Sequence, residues 1–336
     1  MQKGMVRVMV TVSRKKAEKI VSRFPQSTIL VIGDVMLDQF IWGVVNRVSP
    51  EAPVPVVRIE KESFKLGGAG NVVNNIHSLG GKSILCGLVG MDPFGQRIKE
   101  ELELRGIGTA GIIEDSGRST TVKTRIIAHS QQVVRADRES DHPVSKTIEK
   151  GILDFFHASL PGVSGVVLSD YAKGILSRRI IKEVVGACTK RKKELFIDPK
   201  IRNFFNYAGS FMITPNHHEV GQILRQELRA RKTLEEAGRK LLRRLRLEAI
   251  LITRGEAGMS LFENDGTVTH IPTMAKEVYD VSGAGDTVIS TLALSYASGA
   301  SLLDAAVLSN YAAGIVVGKV GTATVSAEEL LASIPA

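Results

Sequence analysis

Short, unbroken apolar runs alternate along this chain with longer segments in which apolar residues return every three or four positions. The runs STILVIGD (27–34), SILCGLVG (83–90), GVVLSDY (165–171), ELFIDPK (194–200), FMITPN (211–216) and AILITRGE (249–256) show no polar alternation. Such continuity is expected of parallel strands covered on both faces. Between them, AGNVVNNIHSLG (69–80), PFGQRIKEELELRG (93–106), SRRIIKEVVGACTKRK (177–192) and TLEEAGRKLLRRLR (233–246) have helical spacing. Several close on Gly or basic residues, as helix C-termini do. The repetition predicts an α/β protein with a mostly parallel central sheet and helices on both faces.

Two stretches break this rhythm. Residues 40–66 are rich in Pro and Val, and residues 117–138 are rich in β-branched residues and turn signals. Both read as extended strands outside the main sheet. Together they suggest a small β flap over a site at the strand ends. No internal repeat or low-complexity linker divides the chain. The reading is therefore one domain over 28–336, preceded by a helical extension within 1–27, its helix near 12–24.

The 336 residues include 43% hydrophobic and 24% charged residues, the balance of a folded protein with a substantial core. The net charge of +9 admits nucleic acid, lipid or phosphorylated metabolites as partners. The basic clusters at 14–16, 190–193, 239–240 and 243–244 fall in helical segments and read as solvated faces. Aromatics at 5% argue against a single-strand stacking platform. Cys86 and Cys188 are far apart among small or apolar residues and read as buried free thiols. The start of the chain lacks a long apolar leader and no run reaches membrane-span length, so a soluble cytoplasmic protein is expected.

Several chemical motifs fail on inspection. GGKS (80–83) ends like a Walker loop, but Ile76 stands where that pattern requires Gly, and a strand follows where a helix should. GGAGNV (67–72) lacks the third glycine of a dinucleotide fingerprint, since position 73 is Val73. The HHE tract (217–219) lacks the spacing and third ligand of a zinc site. What remains is EVYDVSGAGDTVIS (277–290). Here Gly283, Ala284 and Gly285 precede Asp286, and a helix is expected to start near Thr287. Asp286 in that position is either a helix cap or a base beside an anion hole formed by glycine amides and the helix dipole.

DVSGAGDT resembles the C-terminal signature of the ribokinase-like (PfkB) carbohydrate kinases, LGGAGNVVNNIHSLG their Gly-Gly signature, and TPNHHE their Asn-x-x-Glu motif. The three occur in the family's order, and the similarity spans about 28–330. Within the family, GDVMLDQF, SPEAPVPVV, QQVVRAD, SDYAKG, IDPK and VGKVGTATVS are similar to the branch acting on heptose 7-phosphate. The resemblance implies a ribokinase-like three-layer fold with a lid. It implies ATP-dependent phosphorylation of D-glycero-β-D-manno-heptose 7-phosphate at C1, for ADP-heptose and lipopolysaccharide inner-core synthesis. It also implies a stand-alone kinase, with a separate phosphatase and adenylyltransferase acting later, and a homodimer formed through the lid.

Residue by residue, the resemblance makes Asp286 the base and Gly283, Ala284 and Gly285 the anion hole. Asn216 and Glu219 would organise ATP phosphates and Mg²⁺, with no metal site made by protein groups alone. Thr253, Gly255 and Asn310 would flank the nucleotide. Asp38, Gly67, Gly68 and Asn71 would contact the sugar. Arg135, Lys173 and Lys200 are candidates for the 7-phosphate, and K⁺ is a candidate near Asp280 and Ser282. Asp170 and Asp198 stand at strand ends with a structural role equally open.

Overall fold

The computed structural model describes residues 11–129, 131–228 and 230–335. After helix α1 (Arg14–Val21) and a single 3₁₀ turn (Phe24–Gln26), strand β1 (Thr28–Gly33) leads through Asp34 into two long strands, β2 (Val35–Val48) and β3 (Pro55–Gly68). There follow α2 (Ala69–Ser78), β4 (Lys82–Gly90), α3 (Pro93–Glu103), β5 (Ile112–Asp115), β6 (Thr121–Ala128), β7 (Gln131–Arg138), α4 (Lys146–Ser159), β8 (Gly165–Ser169), α5 (Arg178–Arg191) and β9 (Leu195–Asp198). The second half comprises β10 (Met212–Ile213), α6 (His217–Leu224), α7 (Arg231–Leu245), β11 (Ala249–Thr253), β12 (Met259–Glu263), β13 (Val268–Ile271), α8 (Ala284–Ala297), α9 (Leu302–Val316) and α10 (Ala327–Ser333).

Nine strands form one sheet in the order β13-β12-β11-β10-β9-β8-β1-β4-β5. It is parallel from β11 to β5, with β12 and β13 added as an antiparallel edge. Because side chains alternate across a sheet, each apolar run feeds two cores. Val31, Val167 and Phe196 pack with α1, α2, α8, α9 and α10, whereas Leu30, Leu168 and Ile197 pack with α4, α5 and α7. Covering both faces is why the strands carry no polar alternation. Cys86 and Cys188 are free and buried, and burial pushes both thiols up to about 12.

A second sheet, in the order β3-β2-β6-β7, is the lid. It pairs β2 with β6 in parallel and closes with antiparallel pairs on either side. Its four strands occupy the two stretches that broke the sequence rhythm. Asp34 is the joint between the two sheets. Its buried carboxylate accepts the backbone N–H groups of Tyr171 (2.8 Å) and Lys173 (3.1 Å), fastening the loop after β8 to the root of the lid.

The structure differs from the sequence reading in three places. The segment before β1 does not stand apart, because Val12, Ala17, Ile20, Val21 and Phe24 are buried in the same core as α2 and α8. Helix α8 starts at Ala284 rather than near Thr287, since Gly283 adopts φ +78° and serves as its N-cap. Helix α4 and the β12–β13 edge went unread. For α4 the signal was present: Ser145 caps it by accepting the Ile148 N–H, and Ile152 and Phe156 fall on one buried face.

Phe24 is fully buried. Phe24→Ala is expected to cost about 3–5 kcal/mol, read as a lowered urea midpoint with an unchanged slope. A change below about 1 kcal/mol would show that this segment is not part of the core.

Candidate active site

The C-terminal ends of β1, β8 and β9, the lid and the first turn of α8 converge on one carboxylate. Asp286 is 2% exposed. Its Oδ2 accepts a hydrogen bond from the Asn71 amide (2.9 Å) and its Oδ1 one from the Tyr171 hydroxyl (2.8 Å). Asn71 is itself held by Asn75, whose Nδ2 donates to the Asn71 carbonyl (2.9 Å) and whose Oδ1 accepts from the Thr287 hydroxyl (3.0 Å). Helices α2 and α8 are thus locked together beneath the carboxylate. Gly283 is required there, because a Cβ on it would stand 2.6 Å from the Asn71 amide nitrogen, and its φ is in the left-handed region.

Burial raises the Asp286 carboxyl to about 6, while the Asn71 and Tyr171 donors pull it down. A carboxylate poised there can take a proton near neutral pH. Beside it, the Ala284 N–H turns back to the Val281 carbonyl at 3.2 Å. Among the described residues, the Gly283, Gly285 and Asp286 amides make no such bond, so they, and not the Ala284 amide expected with them, are free donors at the helix start. A Cβ on Gly285 would meet nothing within 4 Å. The first turn therefore opens onto space suited to an anion.

On the lid side, Asp38 is 3% exposed and bonded to the Arg125 guanidinium at 2.5 Å. A Cβ on Gly67 would stand 2.7 Å from the Asp38 carboxylate, and one on Gly68 would stand 2.3 Å from the Asp34 carbonyl. The two glycines let the lid strands approach that closely. Asn71, expected among the sugar contacts, is fully buried under the base. The three candidate phosphate cations each hold an acid: Arg135 pairs with Asp137 (3.0 Å), Lys173 with Glu139 (2.6 Å) and Lys200 with Glu219 (3.1 Å). Arg135 lies on the exposed outer strand β7.

The sequence reading missed Lys123, Arg125 and the Tyr171 hydroxyl. Lys123 lies 5.4 Å from the centre of the Tyr171 ring, and burial lowers its pKa despite the nearby Asp38. The available signal was strand alternation, which puts residues 123 and 125 on one face of β6.

The far side of α8 borders a cavity of about 510 Å³ whose lining includes Thr253, Gly255, Ala284, Gly285 and Asn310. It brings Thr253, Gly255 and Asn310, three of the residues expected at the nucleotide, and the first turn of α8 into one space. Asn216 and Glu219 lie outside that lining and form the capping box of α6: each side chain accepts the other's backbone N–H at 2.9 Å. The second Glu219 oxygen faces Lys200. Asp198, at the end of β9, is raised well above the usual carboxylate range by burial, and the charges of Asp286, Glu219 and Asp170 add to the rise although Lys200 opposes it. Asp280 accepts the N–H groups of Ser282 and Gly321, each at 2.9 Å, and this draws two loops together.

Free amides opening onto a cavity at a helix start, a buried carboxylate beside them and a lid nearby define a group-transfer site of the sugar-kinase class. The description "pfkB family carbohydrate kinase" matches residues 26–330, and the chain belongs to that family. It is 44% identical over 321 residues to the bifunctional protein HldE of Geotalea uraniireducens (strain Rf4), a match covering 96% of this chain and 66% of that protein. It is 45% identical over 314 residues to HldE of Desulfatibacillum aliphaticivorans, covering 94% and 64%. The chain thus spans just under two thirds of the length of these curated relatives. Among solved structures, Arabidopsis thaliana ribokinase complexed with ribose and ATP superposes with a TM-score of 0.72 at 16% identity, covering 91% of this chain and 98% of that one. Escherichia coli phosphofructokinase-2 in complex with substrates and products gives 0.74 at 16%, covering 90% and 97%. These likenesses establish the ribokinase-like fold.

Asn71→Ala removes a donor that favours ionised Asp286. The Asp286 titration, followed by ¹³C NMR of its carboxyl carbon, is expected to move upward from about 6. No movement, or a downward one, would contradict the geometry.

Proposed function

We propose that this chain is an ATP-dependent kinase that phosphorylates D-glycero-β-D-manno-heptose 7-phosphate at C1. Its product would enter ADP-heptose synthesis for the lipopolysaccharide inner core, after steps by a phosphatase and an adenylyltransferase. The observation that carries the reading is Asp286: a buried carboxylate near pH 6 beside the free amides of a helix start, between the lid and the 510 Å³ cavity. The high identity to HldE over nearly the whole chain supports heptose 7-phosphate as the sugar.

In this mechanism Asp286 takes the proton of the C1 hydroxyl as its oxygen attacks the γ-phosphorus of ATP, and the bond to ADP breaks. The free Gly283, Gly285 and Asp286 amides, with the helix dipole, hold the charge on the transferring group. Thr253, Gly255 and Asn310 line the nucleotide's place. Asp38, oriented by Arg125, and the backbone at Gly67 and Gly68 hold the sugar. Lys123, which holds no acid among the described residues, joins Lys173 as a candidate for the 7-phosphate, which would take the place of Glu139 at Lys173. Lys200, bonded to Glu219, fits the ATP side better.

Among the described residues no cluster of three metal-ligating side chains occurs. The crowding of Asp198 and Glu219 nonetheless fits Mg²⁺ carried on ATP and held through water. The ion would screen charge on the phosphates. K⁺ near Asp280 and Ser282 would share its corner with Lys65, whose ammonium donates to the Val320 carbonyl at 3.0 Å. The exposed strand β7, with Val133 and Val134 uncovered, supports pairing of lids in a homodimer.

ATP consumption measured across heptose 7-phosphate, ribose, fructose phosphates and adenosine is expected to be fastest with the heptose, and Asp286→Asn should lower it by about 10²–10⁴-fold. Turnover of another substrate alone would overturn the heptose assignment, and an undiminished Asp286→Asn would remove the mechanism. An acid must lose its proton to act as a base, so kcat/KM should fall about tenfold per pH unit below about pH 6 and level off above it. An acid limb centred near the ordinary carboxylate value would speak against Asp286 as the base.

A further inference from the structure

Tyr171 links the base, the lid joint and two lysines of this site. Its backbone N–H is fixed by Asp34 (2.8 Å) at the lid joint. Its ring lies near two ammonium groups, Lys123 of the lid at 5.4 Å and Lys200 at 5.2 Å from the centroid. Lys200 in turn holds Glu219. Its hydroxyl donates to Asp286 Oδ1 at 2.8 Å, while Oδ2 is committed to Asn71. A sugar hydroxyl about to lose its proton to Asp286 must donate to the same carboxylate. Asn71 cannot yield, because it is fully buried in the Asn75–Thr287 network. Each carboxylate oxygen keeps a second lone pair, but at 2% exposure a hydroxyl reaches one only where a neighbour gives way, and the neighbour outside that locked network is the phenol.

We infer that Tyr171 is a stand-in for the acceptor hydroxyl: it occupies the base until a sugar displaces it, and so keeps water from being activated against bound ATP. The inference rests on the kinase reading above. The exchange replaces one O–H donor by another, so the buried carboxylate is never left without a partner. A sugar drives the exchange with its remaining contacts to Asp38 and the lid, whereas a lone water has none. Without the phenol, water at Oδ1 gives its proton to Asp286, its oxygen bonds to the γ-phosphorus, and the bond to ADP breaks, yielding ADP and phosphate. Tyr171 therefore acts through Asp286, as a residue that positions and guards the base.

The test is phosphate release from Mg·ATP by the whole chain with no sugar present. Tyr171→Phe keeps the ring, its packing and both ammonium contacts, and a nucleotide-binding titration checks that it is folded. Sugar-free hydrolysis is expected to rise about tenfold, the effect of one hydrogen bond of ordinary net strength. The rise should vanish in the double variant Tyr171→Phe/Asp286→Asn. Hydrolysis that stays unchanged, or falls in parallel with sugar-dependent turnover, would assign Tyr171 a permanent structural bond and overturn the inference. A rise that persists in the double variant would overturn it too, since the water would not be using Asp286. Absence of sugar-dependent turnover in the wild type with every sugar offered would instead tell against the kinase assignment, and the comparison of sugar-free rates would still decide the role of Tyr171.

Discussion

An acid that serves as a base beside phosphate must be buried enough to hold a proton and ionised enough to accept one. Those demands conflict, and the arrangement around Asp286 is the compromise. Burial pushes its pKa up, and the donors from Asn71 and Tyr171 hold it near 6. The two donors come from α2 and from the loop after β8, each fixed by a different part of the sheet. Moving either element would leave one oxygen of a buried carboxylate without its donor, at a cost of about 1–3 kcal/mol. Gly283 starts the long buried helix α8 because its left-handed φ and the close approach of Asn71 leave no room for a Cβ.

The lid depends on the same point. Strand β2 continues β1 through Asp34, so the buried carboxylate Asp38 leaves the rigid sheet after only a few residues. Asp34 ties that departure to the loop carrying Tyr171. Lid, base and the Lys200–Glu219 pair are therefore mechanically connected through one loop. The basic residues facing the site are nearly all matched by acids, as with Arg125 and Asp38 or Lys173 and Glu139. The excess positive charge of the chain lies elsewhere, on helix faces such as the last turns of α5 and α7.

Much of the fold was legible because burial on both faces of a parallel sheet leaves a signature in single strands. All six apolar runs contain strands of the large sheet, and all four helical segments contain helices. The lid strands were legible as β-branched interruptions. Helix α8 was misplaced by a few residues because Gly and Asp have weak helical preference, and the left-handed Gly283 that starts the helix is fixed by the close approach of Asn71. Helix α9 had no counterpart among the segments of helical spacing, since a helix that is apolar nearly all round shows little periodicity.

The residues that could be named in advance were those whose role is written locally: the glycine turn, Asp286 and the Asn216–Glu219 capping box. The partnerships were not, because they join residues far apart in the chain. Arg125 meets Asp38 across 87 positions, Tyr171 meets Asp286 across 115, and Asn71 meets Asp286 across 215. Local spacing determined which elements form and where charge and small residues stand along them. Only the packing of α2, α8, the lid and the loop after β8 decided which of those groups share a buried space, and in such a space a single donor sets the behaviour of an acid.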